Sequence, residues 1–267
     1  MTSTVVSPDG SQIAFESYGD GPAMLLVHGG TATRIRWAPV REKLAARYTV
    51  HEMDRRGRGG STAEVGPYSL AREGQDVAAV AEALGGDVYV VGHSYGALCV
   101  IEAALVTSAF RRIVLYEPPM PSPGADVMRS ELLASMRTMS DPEAILETFY
   151  LNALQLPQAA VDALKGTEVW QARVTAAPTI IREIDEVNEF RATDRLAGIT
   201  APVRMLLGTE SPTYLRAATA AIAAQLPDAR VVAVQGQAHQ AIDADPDQFV
   251  RLVFDFDATT DGPRAPG

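Results

Sequence analysis

Short apolar runs alternate with amphipathic stretches along most of the chain. The short runs are typical of buried strands, and the stretches between them repeat apolar residues with helical spacing. Strand patterns lie at 4–6, 12–18, 24–27, 48–53, 87–91, 112–116, 203–207 and 230–234, and helix patterns at 37–46, 70–84, 95–108, 213–225 and 245–256. Because near-continuous apolar strands are covered on both faces, the alternation predicts an α/β fold with an eight-stranded, mostly parallel sheet and helices on both faces.

The alternation is interrupted once, over residues 120–198. This long stretch contains helix patterns at 143–150 and 180–184 but no convincing strand. We therefore predict a body formed by residues 1–119 and 199–258, with 120–198 as a helical insertion between the sixth and seventh strands. Residues 259–267 are rich in Pro and Gly, which predicts a flexible C-terminal tail.

Composition and charge exclude several classes of protein. The chain has 23 Lys and Arg against 33 Asp and Glu, a formal net charge of −10, which disfavours binding to nucleic acid. Its single cysteine, Cys99, excludes an internal disulfide and a zinc site built on several thiolates. No apolar run approaches the roughly 18 residues of a membrane span, and the N-terminus lacks a signal-peptide pattern, so we expect a cytoplasmic protein without membrane contact.

The most specific chemical motif is G-H-S-Y-G at positions 92–96. It lies between a predicted strand and a predicted helix, where a sharp turn needs glycines because the backbone is crowded. Such a turn lifts the side chain of Ser94 above the edge of the sheet, and the helix N-terminus favours negative charge beside it. This context predicts that Ser94 is a nucleophile.

A serine hydroxyl needs a base to act as a nucleophile near neutral pH, and four histidines are candidates. His51 lies in the middle of a strand, His93 adjoins Ser94 and should point elsewhere, and His28 precedes two glycines at a strand end. His239 follows the last strand, and loops after parallel strands share one edge of the sheet. We therefore predict His239 as the base.

The motif H-G-G-T at positions 28–31 follows another strand and should lie at the same edge. Glycines there let backbone N–H groups approach a ligand closely. The N–H groups of Gly30 and Tyr95 would together form an oxyanion hole with two donors. The alternative is a tight turn without a catalytic role.

Five motifs together resemble those of the α/β-hydrolase superfamily. They are H-G-G at 28–30, D-R-R-G-R-G-G-S at 54–61, G-H-S-Y-G at 92–96, Y-E-P-P at 116–119 and G-Q-A-H at 236–239. They occur in the order typical of that family and extend over nearly the whole chain, with residues 120–198 in place of its variable cap. The resemblance implies a serine–histidine–acid triad, a cap that shapes the pocket, a small-molecule substrate, and neither a cofactor nor a metal.

The acid of the triad is where this chain departs from the usual pattern. Many relatives have an aspartate on the loop after the strand that follows the cap, and Ser211 occupies that position here. Other branches place the acid directly after the strand that precedes the cap, where this chain has Glu117. Two prolines after Glu117 hold the backbone extended, which favours it as the acid. Glu210 is the alternative.

The predicted cap is rich in methionine near its start, with Met120, Met128, Met136 and Met139 close together. Methionine adapts to irregular apolar shapes, so Met120 and Met136 are candidate substrate contacts. The alternative is that this stripe packs between the cap and the body. Trp37, shortly after the H-G-G-T motif, is a third candidate for the pocket wall.

These observations favour a cofactor-independent serine hydrolase that cleaves an ester, thioester or related acyl or C–C bond of an apolar small molecule. In this hypothesis Ser94 attacks, His239 transfers the proton, Glu117 orients His239, and Gly30 with Tyr95 stabilises the oxyanion. A second hypothesis is a lyase, cyclase or cofactor-free oxygenase that uses His239 as the base. The third is a small-molecule receptor. The sequence is compatible with a monomer or a homodimer.

Overall fold

The computed structural model describes residues 2–62, 66–122 and 126–258. The strands are β1 (Thr2–Val6), β2 (Gln12–Tyr18), β3 (Ala23–Val27), β4 (Thr49–Met53), β5 (Val88–His93), β6 (Phe110–Tyr116), β7 (Val203–Gly208) and β8 (Ala229–Val234). The helices of the body are α1 (Ala38–Ala45), α2 (Leu70–Ala83), α3 (Tyr95–Ala104), α9 (Thr213–Ala223), α10 (Ala241–Ala244) and α11 (Pro246–Ala258). The predicted flexible tail, 259–267, lies outside the described residues.

The eight strands form one sheet in the order β1-β2-β4-β3-β5-β6-β7-β8. β1 and β2 form an antiparallel hairpin, β2 pairs antiparallel with β4, and every other pairing in this sheet is parallel. The predicted eight-stranded, mostly parallel sheet is therefore confirmed. The carboxyl ends of β3 to β8 meet at one edge, which is where the candidate motifs lie.

The two faces of the sheet bury different helices, because successive side chains of a strand point to opposite sides. In β3, Met24 and Leu26 belong to the apolar cluster that includes residues of α1 and α11, whereas Leu25 and Val27 belong to the cluster on the other face, which includes residues of α2, α3 and α9. All four side chains are fully buried. The continuous apolar run of β3 thus follows from burial on both faces.

Five further helices lie between β6 and β7 in the chain. They are α4 (Ser130–Met136), α5 (Pro142–Asn152), α6 (Gln158–Leu164), α7 (Glu168–Ala176) and α8 (Ile180–Glu189). They share an apolar cluster of their own, which includes Leu146, Trp170 and Ile184. No strand occurs among the described residues of this interval, in agreement with the sequence pattern, while the boundaries of 120–198 as a separate cap domain stay a prediction.

Buried ion pairs hold the loop after β4 in place. The guanidinium of Arg56 donates two hydrogen bonds of 2.7 Å to Asp76 on α2. Arg55 donates to Glu73 on α2 at 2.9 and 2.5 Å, and to Glu183 on α8 at 2.6 Å. Because unpaired buried charges are costly, this network holds the loop, α2 and α8 in one arrangement.

Across the described residues, none of the helices combines the length and the apolar character needed to cross a membrane.

Helix α3 approaches the end of β3 so closely that only glycine fits at one position. A β-carbon built on Gly96 would lie 2.4 Å from the carbonyl oxygens of both Val27 and His28. Real side chains do not approach backbone atoms to this distance, so the helix or the strand would have to move.

We expect Gly96→Ala to lower the free energy of unfolding by about 1–3 kcal/mol, as overpacking in a dense core does. Gly198→Ala is the matched control, because the nearest atom to its β-carbon would be Leu105 Cδ2 at 3.8 Å. Urea unfolding of both variants measures the difference. Equal stability of the two variants would contradict the packing argument.

Candidate active site

The three residues predicted as a triad all follow strands at the carboxyl edge of the sheet. Ser94 comes directly after β5 and Glu117 directly after β6. His239 lies on the loop between β8 and α10. The parallel topology therefore brings to one edge three residues that are far apart in the sequence.

Ser94 is held in a strained turn. Its backbone has φ 56° and ψ −125°, a region that non-glycine residues rarely adopt and that costs about 1–3 kcal/mol. The surrounding glycines make room for this turn, since a β-carbon on Gly92 would lie 2.7 Å from Ala97 Cα and one on Gly29 would lie 2.9 Å from Ser94 Cβ. The N–H of Ser94 donates to the carbonyl of Tyr116 at 2.8 Å. The turn is therefore fixed by its neighbours on both sides.

Glu117 is fully buried, and its carboxylate accepts three hydrogen bonds. Nδ1 of His239 donates to Oε2 at 2.6 Å, the N–H of Gly208 donates to Oε1 at 2.8 Å, and the hydroxyl of Ser211 also donates to Oε1. An imidazole whose Nδ1 proton is held by a carboxylate presents the lone pair of Nε2 on its other side. That tautomer is the one a general base requires.

Tyr116 fixes the loop on which His239 lies. Its hydroxyl donates to the carbonyl of Ala238 and accepts the N–H of Ala241 at 3.1 Å. Burial raises the pKa of the Tyr116 phenol, so the hydroxyl keeps its proton for the first of these bonds. Two consecutive residues of the chain, Tyr116 and Glu117, thus hold the backbone and the side chain of the His239 segment.

His93 lies directly behind the ring of His239. The ring centroids are 4.8 Å apart, and Nε2 of His93 donates to the carbonyl of His239 at 3.1 Å. Burial, with a smaller effect from His239, lowers the pKa of His93 well below its usual value. A neutral ring therefore packs against His239 and limits its movement.

His28 is also neutral, and its contacts define its tautomer. Nδ1 donates to the carbonyl of Gly29 at 2.9 Å, and Nε2 accepts the N–H of Arg55 at 3.1 Å. Burial lowers the pKa of His28 well below its usual value, and the charge of Arg55 adds to this effect. Protonation of Nε2 would replace a hydrogen bond by a repulsive contact.

Two adjoining cavities open around Ser94 and His239. The first, with about 500 Å³ of empty space, is walled mainly by apolar side chains and is called here the apolar chamber. The second, with about 390 Å³, includes Arg36 and Arg173 and is called here the polar chamber. Both chambers are lined by Gly30, Thr31, Ser94, Phe149, Leu154 and His239.

Gly30 and Tyr95, the predicted oxyanion donors, line the apolar chamber together with Ser94. A β-carbon on Gly30 would lie 3.2 Å from Oε2 of Glu183, so a side chain at that position would crowd the wall. The other oxygen of Glu183 accepts from Arg55 at 2.6 Å and from Arg58. The negative charge of Glu183 beside this wall is therefore offset by two guanidinium groups.

The expectation that Trp37, Met120 and Met136 contact the substrate is corrected by the structure. Trp37 is fully buried beneath the sheet edge and packs against Phe249 at 6.4 Å between ring centroids. Met120 is buried against the body, and Met136 belongs to the apolar cluster of the inserted helices. None of the three lines either chamber. Their apolar character reflects core packing, which was the alternative that the sequence left open for the methionines.

The alternative acid, Glu210, is not the carboxylate that Nδ1 of His239 contacts. It is exposed, and its carboxylate accepts a hydrogen bond from the hydroxyl of Thr209 at 3.3 Å. Ser211, at the position where many relatives have an acid, instead donates to Glu117. The loop after β7 therefore supports the carboxylate rather than supplying it.

Sequence reasoning missed several residues of this site. Tyr116 and His93 adjoin predicted residues, but nothing in a local pattern shows that they contact the His239 loop. Glu183 and Arg173 lie on inserted helices whose docking depends on tertiary packing. One signal could have indicated a buried role for Glu183: it is a charged residue on an otherwise apolar helix face, among Ile180, Ile184 and Val187.

No group of three or more His, Cys, Asp or Glu side chains within the described part of the chain is arranged to hold a metal ion.

Comparisons with known proteins agree with this fold. The model of the alpha/beta hydrolase family matches residues 24–252. The chain is 29% identical to N-formylmaleamate deformylase of Pseudomonas putida, over 94% of each chain. Among solved structures, it resembles an alpha/beta hydrolase from Sphaerobacter thermophilus (TM-score 0.83, 30% identity, 95% of this chain and 99% of the other). It also resembles an esterase from Rhodococcus sp. (TM-score 0.78, 27% identity, 97% and 98%).

The neutral state of His28 predicts a pH dependence of stability. The unfolded chain binds a proton at this imidazole near its usual pKa of 6.5, whereas the folded chain does not until a much lower pH. The contribution of His28 to the free energy of unfolding is therefore fully present above about pH 6.5. It decreases as the pH falls below that value, by up to about 1.4 kcal/mol per pH unit for one such group.

We expect this slope, measured by urea unfolding between about pH 6.5 and pH 5.5, to be smaller in His28→Gln than in the wild type. His51→Gln is the control for removal of a histidine from β4, where burial lowers the pKa less. If His28→Gln has the same slope as the wild type, His28 is not the group that binds the proton.

Proposed function

Because the chain belongs to the α/β-hydrolase family of enzymes, we propose that it is a cofactor-independent serine hydrolase that forms an acyl-enzyme on Ser94. The proposed targets are esters, thioesters and related acyl or C–C bonds of small molecules with an apolar part. The observation that supports this best is the 2.6 Å hydrogen bond between His239 and the buried Glu117, beside a cavity that Ser94 also lines.

In the proposed reaction, Oγ of Ser94 attacks the acyl carbonyl while its proton passes to Nε2 of His239. Glu117, which holds Nδ1 of the same ring, stabilises the imidazolium that forms. The protonated His239 then gives its proton to the leaving group, and the carbonyl re-forms as an acyl-enzyme. Water, activated by His239 in the same way, releases the acid and restores Ser94.

The negative charge on the carbonyl oxygen needs donors in both steps. We assign this role to the backbone N–H groups of Gly30 and Tyr95, on the wall of the apolar chamber. Tyr95 is the first residue of α3, so the partial positive charge of the helix N-terminus acts on the same oxygen. Each donor of this kind is worth a factor of roughly 100 to 1,000 in kcat.

The relatives support acyl-group hydrolysis. One is named as a deformylase of N-formylmaleamate and another as an esterase. Both names describe the cleavage of an acyl bond. We propose the same class of bond for this chain.

The structure does not support the main argument for the alternative of a lyase, cyclase or cofactor-free oxygenase. It rested on Ser211 at the usual position of the acid, and Ser211 instead donates to the carboxylate that binds His239. A small-molecule receptor has no need of the strained Ser94 turn, whose conformation costs free energy in the folded state. Both alternatives require activity or binding that does not depend on Ser94.

We expect a fluorophosphonate probe to label the wild-type protein at Ser94, because the activated hydroxyl attacks phosphorus as it would an acyl carbon. Ser94→Ala should lose both labelling and hydrolysis of short acyl esters, whereas Ser135→Ala, a change of an exposed serine on α4, should retain both. Intact mass and peptide mapping identify the site. Ester hydrolysis that persists in Ser94→Ala would refute the proposed nucleophile.

We expect Glu117→Gln to lower kcat by a factor of about 100 to 10,000 with little change in KM, because the amide can neither fix the Nδ1–H tautomer nor stabilise the imidazolium. Ser211→Ala keeps the carboxylate and removes one donor, so kcat should fall about tenfold or less.

Glu210→Gln is the matched control for the loss of a carboxylate and should leave kcat unchanged. Steady-state kinetics of the three variants on one neutral ester decides between the two acids. A large loss in Glu210→Gln without one in Glu117→Gln would reverse the assignment.

A further inference from the structure

Arg173, on α7, has no direct ion-pair partner. Its Nη1 donates to the hydroxyl of Tyr150, which is a neutral acceptor, and no carboxylate of the described residues forms an ion pair with it. Burial lowers the pKa of Arg173 to about 10, and repulsion by Arg36 adds to this effect, whereas the carboxylate of Asp243, which is paired with Arg36, opposes it. The side chain remains protonated at neutral pH, so its charge is present without a carboxylate in direct contact.

The other arginines around the site are paired. Arg36 donates to Asp243 at 2.7 Å, and Arg55 and Arg58 share the carboxylate of Glu183. Arg173 is half-buried, and because partial removal of a charge from water is unfavourable without an ion-pair partner, its position favours a partner that comes from outside the folded chain.

Arg173 lies where a ligand can reach it. It lines the polar chamber together with Ser94 and His239. It also lines an outer groove that shares Thr31 and Arg36 with the polar chamber. The guanidinium of Arg173 therefore borders both the polar chamber and the outer groove.

The two chambers differ in charge. The apolar chamber has one carboxylate, Glu183, which two arginines neutralise, and its wall is otherwise built mainly from side chains such as Ile180 and Val187. The polar chamber has the free charge of Arg173. Since both chambers meet at Ser94, a substrate that fills them has its reacting carbonyl between a part in the apolar chamber and a part beside Arg173.

We propose that Arg173, with Tyr150 as its support, is a carboxylate-binding subsite, and that the substrate has a carboxylate on one side of the scissile acyl bond and an apolar group on the other. A guanidinium matches a carboxylate with two parallel hydrogen bonds. This inference rests on the proposed function, because Ser94 defines where the scissile bond lies.

Two pairs of esters test the subsite in either half of the substrate. The first pair compares the mono-nitrophenyl ester of glutaric acid with nitrophenyl pentanoate, so that the two esters differ by a charge in the acyl half. The second pair compares the acetyl ester of a hydroxybenzoate with phenyl acetate, so that the charge lies in the leaving group. The wild type should have a higher kcat/KM for the anionic member of at least one pair.

We expect Arg173→Met to lower kcat/KM for that anionic ester by about 10- to 100-fold, the usual effect of removing a hydrogen bond to a charged group. The neutral member should change little, and Arg173→Lys should retain part of the preference. The control is Arg137→Met, which removes an exposed arginine that is paired with Asp185 outside both chambers. Equal losses on the anionic and neutral esters would mean that Arg173 only supports Tyr150, and would overturn the proposal.

Binding gives a readout that does not depend on turnover. Calorimetric titration of Ser94→Ala with benzoate and with benzamide compares two ligands of similar shape that differ in charge. We expect benzoate to bind more tightly, and this preference to be lost when Arg173→Met is added. Equal binding of the two ligands, no binding of benzoate, or a preference that survives Arg173→Met would each overturn the subsite.

The two assays together separate this proposal from the proposed function. Hydrolysis of neutral esters that depends on Ser94, without any effect of Arg173 on charge preference, would refute the subsite alone. Benzoate binding that depends on Arg173, in a protein that hydrolyses no ester, would refute the proposed reaction and leave the subsite intact.

Discussion

The buried carboxylate of Glu117 is the interaction on which the arrangement of the site depends. Three donors surround it, and they come from three separate parts of the chain: the end of β7, the loop that follows it, and the loop after β8. A carboxylate without water must have such partners, because burial of an unpaired charge is very unfavourable. The need to satisfy one side chain therefore fixes the position of His239 relative to β6 and β7.

A second constraint acts through close packing rather than charge. The turn at Ser94 requires glycine at positions 92 and 96, because any side chain there would overlap the backbone of α3 or of the end of β3. Its unfavourable backbone angles are maintained by these contacts and by the hydrogen bond from Ser94 to Tyr116. Both constraints converge on the end of β6, where Tyr116 and Glu117 follow one another. The geometry proposed for catalysis is thus a consequence of how β5 and β6 pair.

Local sequence patterns were sufficient for the eight strands, the parallel sheet and the interval without strands, because each depends on periodicity and on burial of both sheet faces. They also indicated Ser94, His239 and Gly30, since each follows a strand whose end has to lie at the shared edge. The same reasoning left Glu117 and Glu210 both open, and it placed Trp37, Met120 and Met136 at the pocket. Apolar residues occur both in cavity walls and in cores, so local patterns do not show which of the two a given apolar residue belongs to.

The sequence by itself determined the order of the elements and the chemical groups at their ends, because strand alternation and turn glycines are properties of neighbouring residues. Only the tertiary structure decided which carboxylate contacts His239, which histidines stay neutral, and which arginine is left without a counter-ion. These outcomes depend on distances between residues of separate elements of the fold and on the exclusion of water from their surroundings. The inserted helices illustrate this most clearly, since the environments of Glu183 and Arg173 are set by how those helices pack on the sheet edge.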